Sequence, residues 1–346
     1  MRCRVLALKG HLLAEAGNVA AARSAFEVAI RVARKHGLTY DEALVRANIG
    51  DLLFQADLPG AAEQVERATR LAASIGDLNG HSWGLYNLAI VWFFTGDWDG
   101  AETAAEQTIT VCVEANLRAA AHLPLLLLHV ARGRTDESSE ALEGLTELAS
   151  SGGIEDRCAV ATGRAADALV RGDWAGAVQV AAPMVHECLA NLGQFDESTR
   201  LLWPLALEAA WQLARETGRG DELAAVLDLA DVDPADPPPY LQAQLLRFRT
   251  LFESLSHDGD TSTETVADVQ TRLRAAIDAF TRIGFPYVRA MTQLDLAELL
   301  LTHRGEDQPA DVALLLSDAG AVFDRLGARP AAERLDRLRA QHAGTS

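Results

Sequence analysis

The sequence predicts an all-α protein: an α-α superhelix, or solenoid, of about eight helix–turn–helix pairs plus a C-terminal capping helix. Gly-Asp-Trp-Asp-Gly-Ala at 96–101 returns as Gly-Asp-Trp-Ala-Gly-Ala at 172–177. Related turns recur about every 40 residues, a spacing typical of solenoids. Alanine and leucine predominate, and unbranched side chains lose little rotamer freedom in a helix. The turns begin at Gly17, Asp57, Gly96, Gly133, Gly172 and Gly218.

The residues on either side of the Gly96 turn recur with helical spacing. Before the turn the apolar stripe is Leu85, Leu88, Ala89 and Trp92. After the turn the stripe is Ala101, Ala104, Ala105, Thr108 and Val111. Gly96 can take the left-handed conformation that ends one helix, and Asp97 can cap the first free amides of the next. Each repeat is therefore predicted to be a helix, a tight turn and an antiparallel helix.

Six such pairs are predicted in residues 1–230. In the first pair, the small residues Gly10 and Ala22 allow the two helices to approach closely. In the second pair, Pro59 stands near the start of the second helix, where its missing N–H costs nothing. Pairs four to six are less regular in sequence. Pro183 lies inside the second helix of pair five and is expected to kink or end it.

Residues 231–239, rich in proline and aspartate, are predicted to be a linker or a break in the repeat register, because they cannot continue a helix. Residues 240–346 are predicted to hold two further helix pairs and the capping helix. The expected helices are 240–255, a helix around 273–280, 287–301, 309–326 and 330–341.

Two details of this C-terminal part carry predictions of their own. The polar insert 256–264 contains Asp258-Gly259-Asp260, which lacks the ligand spacing of a calcium loop, so a surface loop is expected. In 330–341, alanine and leucine alternate with Arg334, Arg337 and Arg339. This alternation predicts a terminal helix with a polar outer face, as the ends of repeat arrays require.

The charge of the chain excludes some partners. The formal net charge is −18, and the only lysines are Lys9 and Lys35. An acidic chain of this kind is repelled by phosphate backbones and anionic lipids, so we expect no direct binding to nucleic acid or membranes.

Cysteine usage and hydropathy favour a cytoplasmic protein. Cys3, Cys112, Cys158 and Cys188 show neither a zinc-ligand nor a disulfide spacing, and they are predicted to be buried, reduced thiols. The longest apolar run after the N-terminus, 123–130, is far shorter than the roughly 18 residues of a membrane span.

The repeats resemble the tetratricopeptide repeat. The residues that carry the resemblance are Asn87-Leu88-Ala89, Trp92, Gly96-Asp97-Trp98 and Ala101, with Gly10, Gly17, Ala22, Phe26 and Ala29 in the first pair. The spacing here is longer than the roughly 34 residues of that family, which predicts longer helices. The resemblance implies a concave groove lined by the first helix of each pair.

The C-terminal part is similar to the helical repeats of large actinobacterial regulators, namely ATPase-type transcription activators and ATPase-linked nucleotide cyclases. The matching residues are 276–280, Gly284-Phe285-Pro286-Tyr287, 296–300 and 323–328. The chain lacks a phosphate-binding G-x-x-x-x-G-K-[ST] run and a recognisable helix-turn-helix after the last pair. The resemblance therefore implies the sensor or scaffold portion alone. We expect a fragment of a longer protein or the survivor of a domain loss.

The sequence contains no recognisable catalytic or metal-binding motif. His122 and His129 can share a helix face, but no cysteine or carboxylate completes a metal site, and a pair of helix-surface histidines is expected. The glutamates at 137, 140, 143 and 147 are spaced as a solvated helix face. No serine-hydrolase elbow or zinc-protease motif occurs. We therefore expect no enzyme, no cofactor and no metal.

The first helix of pair three is the candidate binding element, because a second stripe makes it apolar nearly all round. Such a helix is either buried on all sides or offers an apolar face to a partner. We keep both alternatives, and predict Trp98 and Trp174 to be anchors between helices with no role in binding. The candidate groove residues are Trp83, Tyr86, Ile90, Phe93 and Phe94, flanked by Asp51, Phe54, Leu123 and Leu127.

The sequence thus favours a non-enzymatic scaffold or sensor that binds a peptide, a protein segment or a small effector in signalling or transcription regulation. The alternative is an effector-sensing fragment of an ATP-dependent transcription activator or nucleotide cyclase. An enzyme on this fold would need several buried, perturbed carboxylates in one pocket. The sequence leaves the oligomeric state open.

Overall fold

The structure, a computed structural model, describes residues 2–15, 17–233, 236–255, 263–302 and 309–343. Every regular element in these ranges is helical. Two short 3₁₀ helices, at Glu147–Ser150 and Leu229–Asp231, follow α9 and α13. The α-helices are α1 Arg2–Glu15, α2 Val19–Lys35, α3 Thr39–Phe54, α4 Leu58–Ser74, α5 Leu78–Thr95, α6 Trp98–Val111, α7 Ala115–Ala120, α8 His122–Arg132, α9 Thr135–Thr146, α10 Ile154–Val170, α11 Trp174–Asn191, α12 Glu197–Thr217, α13 Asp221–Asp228, α14 Pro239–Leu255, α15 Thr263–Ile283, α16 Pro286–Thr302, α17 Pro309–Leu326 and α18 Arg329–Ala343.

These helices form an all-α solenoid of helical repeats, which confirms the predicted fold class. Consecutive helices pack as hairpins, and α18 follows the last of them. Helix α7 is a short element between the third and fourth pairs that the sequence did not predict. The pairs are α1–α2, α3–α4, α5–α6, α8–α9, α10–α11, α12–α13, α14–α15 and α16–α17.

The repeated turn has the predicted mechanism. Gly96 ends α5 in the left-handed conformation with φ of 86°. The Asp97 carboxylate then accepts a hydrogen bond from the Gly100 amide at 3.1 Å, which caps α6. Trp98 is buried and donates its indole N–H to the Phe93 carbonyl at 2.8 Å, so it joins α6 to α5. The second copy repeats this cap, with Asp173 accepting from Gly176 at 2.9 Å.

Glycine is required where α4 and α5 cross. A Cβ on Gly84 would overlap the Thr69 hydroxyl and lie 3.1 Å from the Thr69 Cα. Because Thr69 is buried and its hydroxyl donates to the Val65 carbonyl at 2.8 Å, it has little room to move. The two helices can pack at this distance only because position 84 has no side chain.

We expect Gly84→Leu to lower the free energy of unfolding by about 3 kcal/mol, the upper part of the usual range for overpacking. Thermal denaturation followed by circular dichroism measures this effect. Asn79→Leu adds the same side chain at an exposed position of α5 and is expected to leave the melting temperature nearly unchanged. Equal melting temperatures for the two variants would contradict the close crossing.

The structure corrects one of the two outcomes expected at Pro183. The sequence predicts a kink or an end at this residue, and the end is wrong, because α11 continues through it to Asn191. Proline removes one backbone hydrogen bond of a helix. Here α11 packs against both α10 and α12, and its apolar side chains on either side of the proline, including Ala181 and Met184, are buried. The tertiary contacts therefore hold the helix together across the missing bond.

The helices end and resume where the proline-rich segment predicts. The 3₁₀ helix after α13 ends at Asp231 and α14 begins at Pro239. In the first turn of α14, the Tyr240 amide donates to the Gln55 carbonyl, at the end of α3, at 2.9 Å. The division of the chain at 231–239 remains a prediction. The acidic insert Asp258-Gly259-Asp260 lies outside the described residues.

The C-terminal pairs fold back onto the turns of pairs two to four. One hydrophobic core runs from α3 to α18. Phe285, between α15 and α16, lies within it against Phe54 and Phe94. The superhelix therefore closes on itself, because the short connections between the C-terminal helices contact the connections within pairs two to four. The neighbours at these contacts are Pro59 with Gly284, Leu326 and Pro286 with Gly96, and Pro330 with Gly133.

Helix α18 closes the array as the predicted capping helix, and Arg337 and Arg339 lie on its exposed face, whereas Arg334 does not. Arg334 has only 11% of its side chain exposed and pairs with Asp295 and Glu298 of α16 at 2.7 and 2.6 Å. Because the array curves back, α18 also contacts α8. An arginine assigned to the solvent face therefore lies inside the protein.

Candidate functional site

A pocket of about 380 Å3 lies between α3, α5, α10 and the start of α12. The curvature of the superhelix brings these four helices together. Of the nine candidate groove residues, the pocket is lined by Asp51, Phe54, Trp83, Tyr86, Ile90 and Leu123. The second stripe of α5 thus faces a concave surface in its first half, up to Ile90.

Of the remaining candidates, Phe93 and Leu127 lie in the core, and the partly buried Phe94 packs against it. Phe93 is buried and stacks on Trp98, with ring centroids 5.7 Å apart. Phe94 contacts Tyr240 and Phe285 from the C-terminal part. Leu127 of α8 is buried. The C-terminal half of α5 therefore packs mainly against other helices and does not line the pocket.

Trp83 is the most accessible aromatic residue of the pocket. Its side chain is 44% exposed, whereas Tyr86, one turn later, is buried. The two rings meet edge to face, with centroids 6.0 Å apart. Such a pair is rigid and offers apolar surface at the pocket rim.

Arg200 is the central charged residue, and sequence reasoning missed it. Its side chain is 4% exposed. The guanidinium pairs with Asp51 at 2.7 Å and with Glu197 at 3.5 Å. It also lies over the Phe54 ring, 4.2 Å from the centroid. The pocket thus already contains one guanidinium held between carboxylates and an aromatic face.

Glu197 is linked to α5 as well as to Arg200. The Tyr86 hydroxyl donates to Glu197 Oε1 at 2.9 Å. Burial raises the pKa of Glu197 above its ordinary value, and Asp51 and Asp196 add to this rise against the lowering effect of Arg200 and Tyr86. Burial and the nearby Glu197 likewise raise the pKa of the Tyr86 hydroxyl. The protein thus holds Glu197 in an environment that disfavours its charged form.

Three further carboxylates line the pocket, and helix ends explain their positions in part. Asp196 caps α12 by accepting from the Ser198 amide at 2.8 Å. Glu155 and Asp156 lie in the first turn of α10, where negative charge is favourable. The only sequence signal for these residues was an acidic helix start, which is common on any helical protein.

Comparison with known proteins finds similar solved structures of helical repeats and no matching family. No family model and no curated protein matches the sequence. Among solved structures, the crystal structure of the P58(IPK) TPR domain is similar at 17% identity over 99% of both chains, with a TM-score of 0.28. A circular tandem repeat protein with novel repeat topology is similar at 13% identity over 99% of both chains, with a TM-score of 0.24. These scores are too low to carry an argument, and the fold assignment rests on the helix pairs themselves.

Other candidate features fall outside this pocket. His129, predicted on a helix surface, is buried in α8 because the neighbouring pairs cover it, and burial lowers its pKa. The four cysteines are buried and free, as predicted.

In the part of the chain that is described, no group of three or more histidine, cysteine, aspartate or glutamate side chains is arranged to hold a metal ion. Within the same ranges, no helix has the length and apolarity needed to cross a bilayer.

Proposed function

We propose that this protein is a non-enzymatic interaction scaffold, and that the pocket between α3, α5, α10 and α12 binds a segment of a partner protein. The observation that carries the proposal is the half-exposed Trp83 at the rim of a concave pocket with fixed charges behind it. Exposed tryptophans backed by a rigid wall are the kind of residue that dominates binding energy at interfaces. Stacked helix pairs present such a surface without any change of shape.

An enzymatic alternative has one observation in its favour, the raised pKa of Glu197 beside the Tyr86 hydroxyl. Acid–base chemistry would need a pair of groups that can reach a substrate. Glu197 is already engaged by Tyr86 and Arg200, while Asp51 is 64% exposed and Glu155 is exposed as well. The arrangement supports binding better than catalysis.

The proposed role includes regulation of a signalling or transcription pathway. Its support is the resemblance of residues 276–328 to the C-terminal repeats of ATPase-type regulators. In that setting the pocket would bind an effector or a partner segment and pass the signal to catalytic and DNA-binding modules elsewhere. An ATPase motif in the reading frame upstream of Met1 would favour this setting.

Peptides selected by the wild-type protein from a random phage-displayed library test the binding function. We expect Trp83→Ala to weaken their binding, measured by calorimetry, by about tenfold or more, because the indole supplies most of the accessible apolar surface. The variant is expected to keep its fold, since the side chain is half exposed.

Leu78→Ala is the matched control, because it removes a more exposed apolar side chain from the same helix outside the pocket lining. It is expected to bind the selected peptides as the wild type does. Peptides that bind Trp83→Ala at full strength would show that the pocket is not the binding surface.

A further inference from the structure

The pocket carries an excess of negative charge that its own residues do not balance. Among the described residues, Arg200 is the single basic residue of the lining, and it is shared between two carboxylates. Ionised carboxylates near a partly enclosed surface attract cations strongly, because screening there is weaker than in bulk water. The carboxylates that line the pocket in the described part of the chain are Asp51, Glu155, Asp156, Asp196 and Glu197.

The aromatic residues of the pocket are of the kind that hold cations. Arg200 already stacks over Phe54 next to Asp51, so the protein itself shows a guanidinium in this environment. Trp83 is the second aromatic wall, and no arginine or lysine of the described residues lies over its ring. Tryptophan is the strongest of the cation-binding rings. A second cation can therefore bind against Trp83 with the carboxylates of α10 and α12 nearby.

Arg200 has one hydrogen-bond donor that the described part of the protein leaves unsatisfied. Its side chain is nine-tenths or more buried, it lines the pocket, and its Nε–H has no acceptor in the described part of the chain. A buried donor without an acceptor is costly.

We propose that the pocket binds a cationic side chain, arginine in the first place, of a peptide segment, with the charged group between Trp83 and the carboxylates of α10 and α12. This inference rests on the proposed function and names the chemistry of the partner. Arginine fits better than lysine because its planar guanidinium stacks on an aromatic ring and reaches carboxylates with several donors at once. The absence of a three-residue metal-binding group among the described residues favours an organic cation over a metal ion.

The experiment titrates the ¹⁵N-labelled protein with acetyl-Gly-Arg-Gly-amide and with the same peptide carrying citrulline, the neutral isostere of arginine. We expect the arginine peptide to shift the Trp83 indole resonance and to bind about tenfold or more tightly than the citrulline peptide, the usual gain of a charge-assisted hydrogen bond. A glutamate peptide is expected not to bind.

Two variants test the site. Glu197→Gln keeps an acceptor for the Tyr86 hydroxyl, and because the pKa of Glu197 is raised, a neutral side chain at this position is tolerated. We expect Glu197→Gln on α12 and Glu155→Gln, which changes an exposed carboxylate of α10, to weaken binding of the arginine peptide several-fold with the melting temperature retained. Glu140→Gln, an equal change of charge at an exposed position of α9, is expected to bind as the wild type does.

The outcomes separate this inference from the proposed function. Equal affinity for the arginine and citrulline peptides, or a loss in Glu140→Gln as large as in Glu197→Gln, would overturn the cation proposal. If library peptides without arginine or lysine bind in a Trp83-dependent way, the scaffold function stands and the cation proposal fails. If no peptide of any charge depends on Trp83, both fail.

Discussion

Replacing Asp295 by alanine is expected to destabilise the protein by about 3–5 kcal/mol, because it leaves two buried guanidiniums without their shared partner. The Asp295 side chain is fully buried on α16, and it accepts from Arg247 of α14 and from Arg334 of α18, each at 2.7 Å. Glu208 of α12 completes the group by pairing with Arg247 at 3.1 Å. Four helices therefore depend on this carboxylate.

Chemical denaturation monitored by circular dichroism measures this loss. Asp311→Ala is the control, because it breaks an ion pair with Arg274 in which both side chains are about half exposed, and such pairs contribute at most about 1 kcal/mol. A loss for Asp295→Ala no larger than for Asp311→Ala would show that the buried group does not hold the helices together.

The same network predicts a dependence on pH. Burial alone would raise the pKa of Asp295, but the guanidiniums of Arg247 and Arg334 lower it below its ordinary value. The carboxylate therefore stabilises the fold above the ordinary pKa of aspartate, about 3.9, and this stabilisation is lost as the pH falls through the lower, folded-state pKa. The stability advantage of the wild type over Asp295→Asn is expected to be full near neutrality and to shrink below about pH 4. A difference that stays constant down to pH 2 would contradict the lowered pKa.

Phe285→Ala is expected to cost about 3–5 kcal/mol, the usual range for a large aromatic side chain lost from a core. Phe285 is fully buried and stacks on Tyr240 with ring centroids 4.3 Å apart, while Phe54 and Phe94 contact its other sides. Because these rings join the C-terminal pairs to the turns of pairs two and three, their loss is expected to loosen α14–α18 first.

Thermal denaturation gives the overall loss, and limited proteolysis between α13 and α14 reports the loosening. Tyr40→Ala removes a half-exposed ring from α3 and serves as the aromatic-to-alanine control, with little change expected in either measurement. Phe285→Ala protein that melts with the control and resists proteolysis equally would show that the aromatic cluster does not bind the two parts together.

The sequence predicted the helix pairs well because their signals are local. A glycine with positive φ, a capping aspartate and stripes of small residues lie within one repeat, as at Gly96 and Asp97. The contacts between turns could not be predicted in this way. Pro59 and Gly284 meet only because the superhelix has a particular curvature, which no single repeat encodes.

The candidate site was predicted only in part, because only some of its residues form a local pattern on one helix. Trp83 and Tyr86 were found because they form a stripe on one helix, and both line the pocket. Glu197 and Arg200 come from a helix three pairs further along the chain, and in sequence they look like an ordinary helix start. Phe93 continues the stripe but is covered by Trp98, and periodicity alone does not distinguish these two halves of α5.

The contacts between turns also bear on how this array can be shortened or rearranged. In an open solenoid each repeat touches only its neighbours, so end repeats can be removed one at a time and stability falls roughly in proportion. Here α16 contacts α5 and α18 contacts α8, which links distant repeats directly. Deleting α14–α18 would uncover the inner turns of pairs two to four, so we expect α3 to α18 to unfold together, as the elements of one globular domain do.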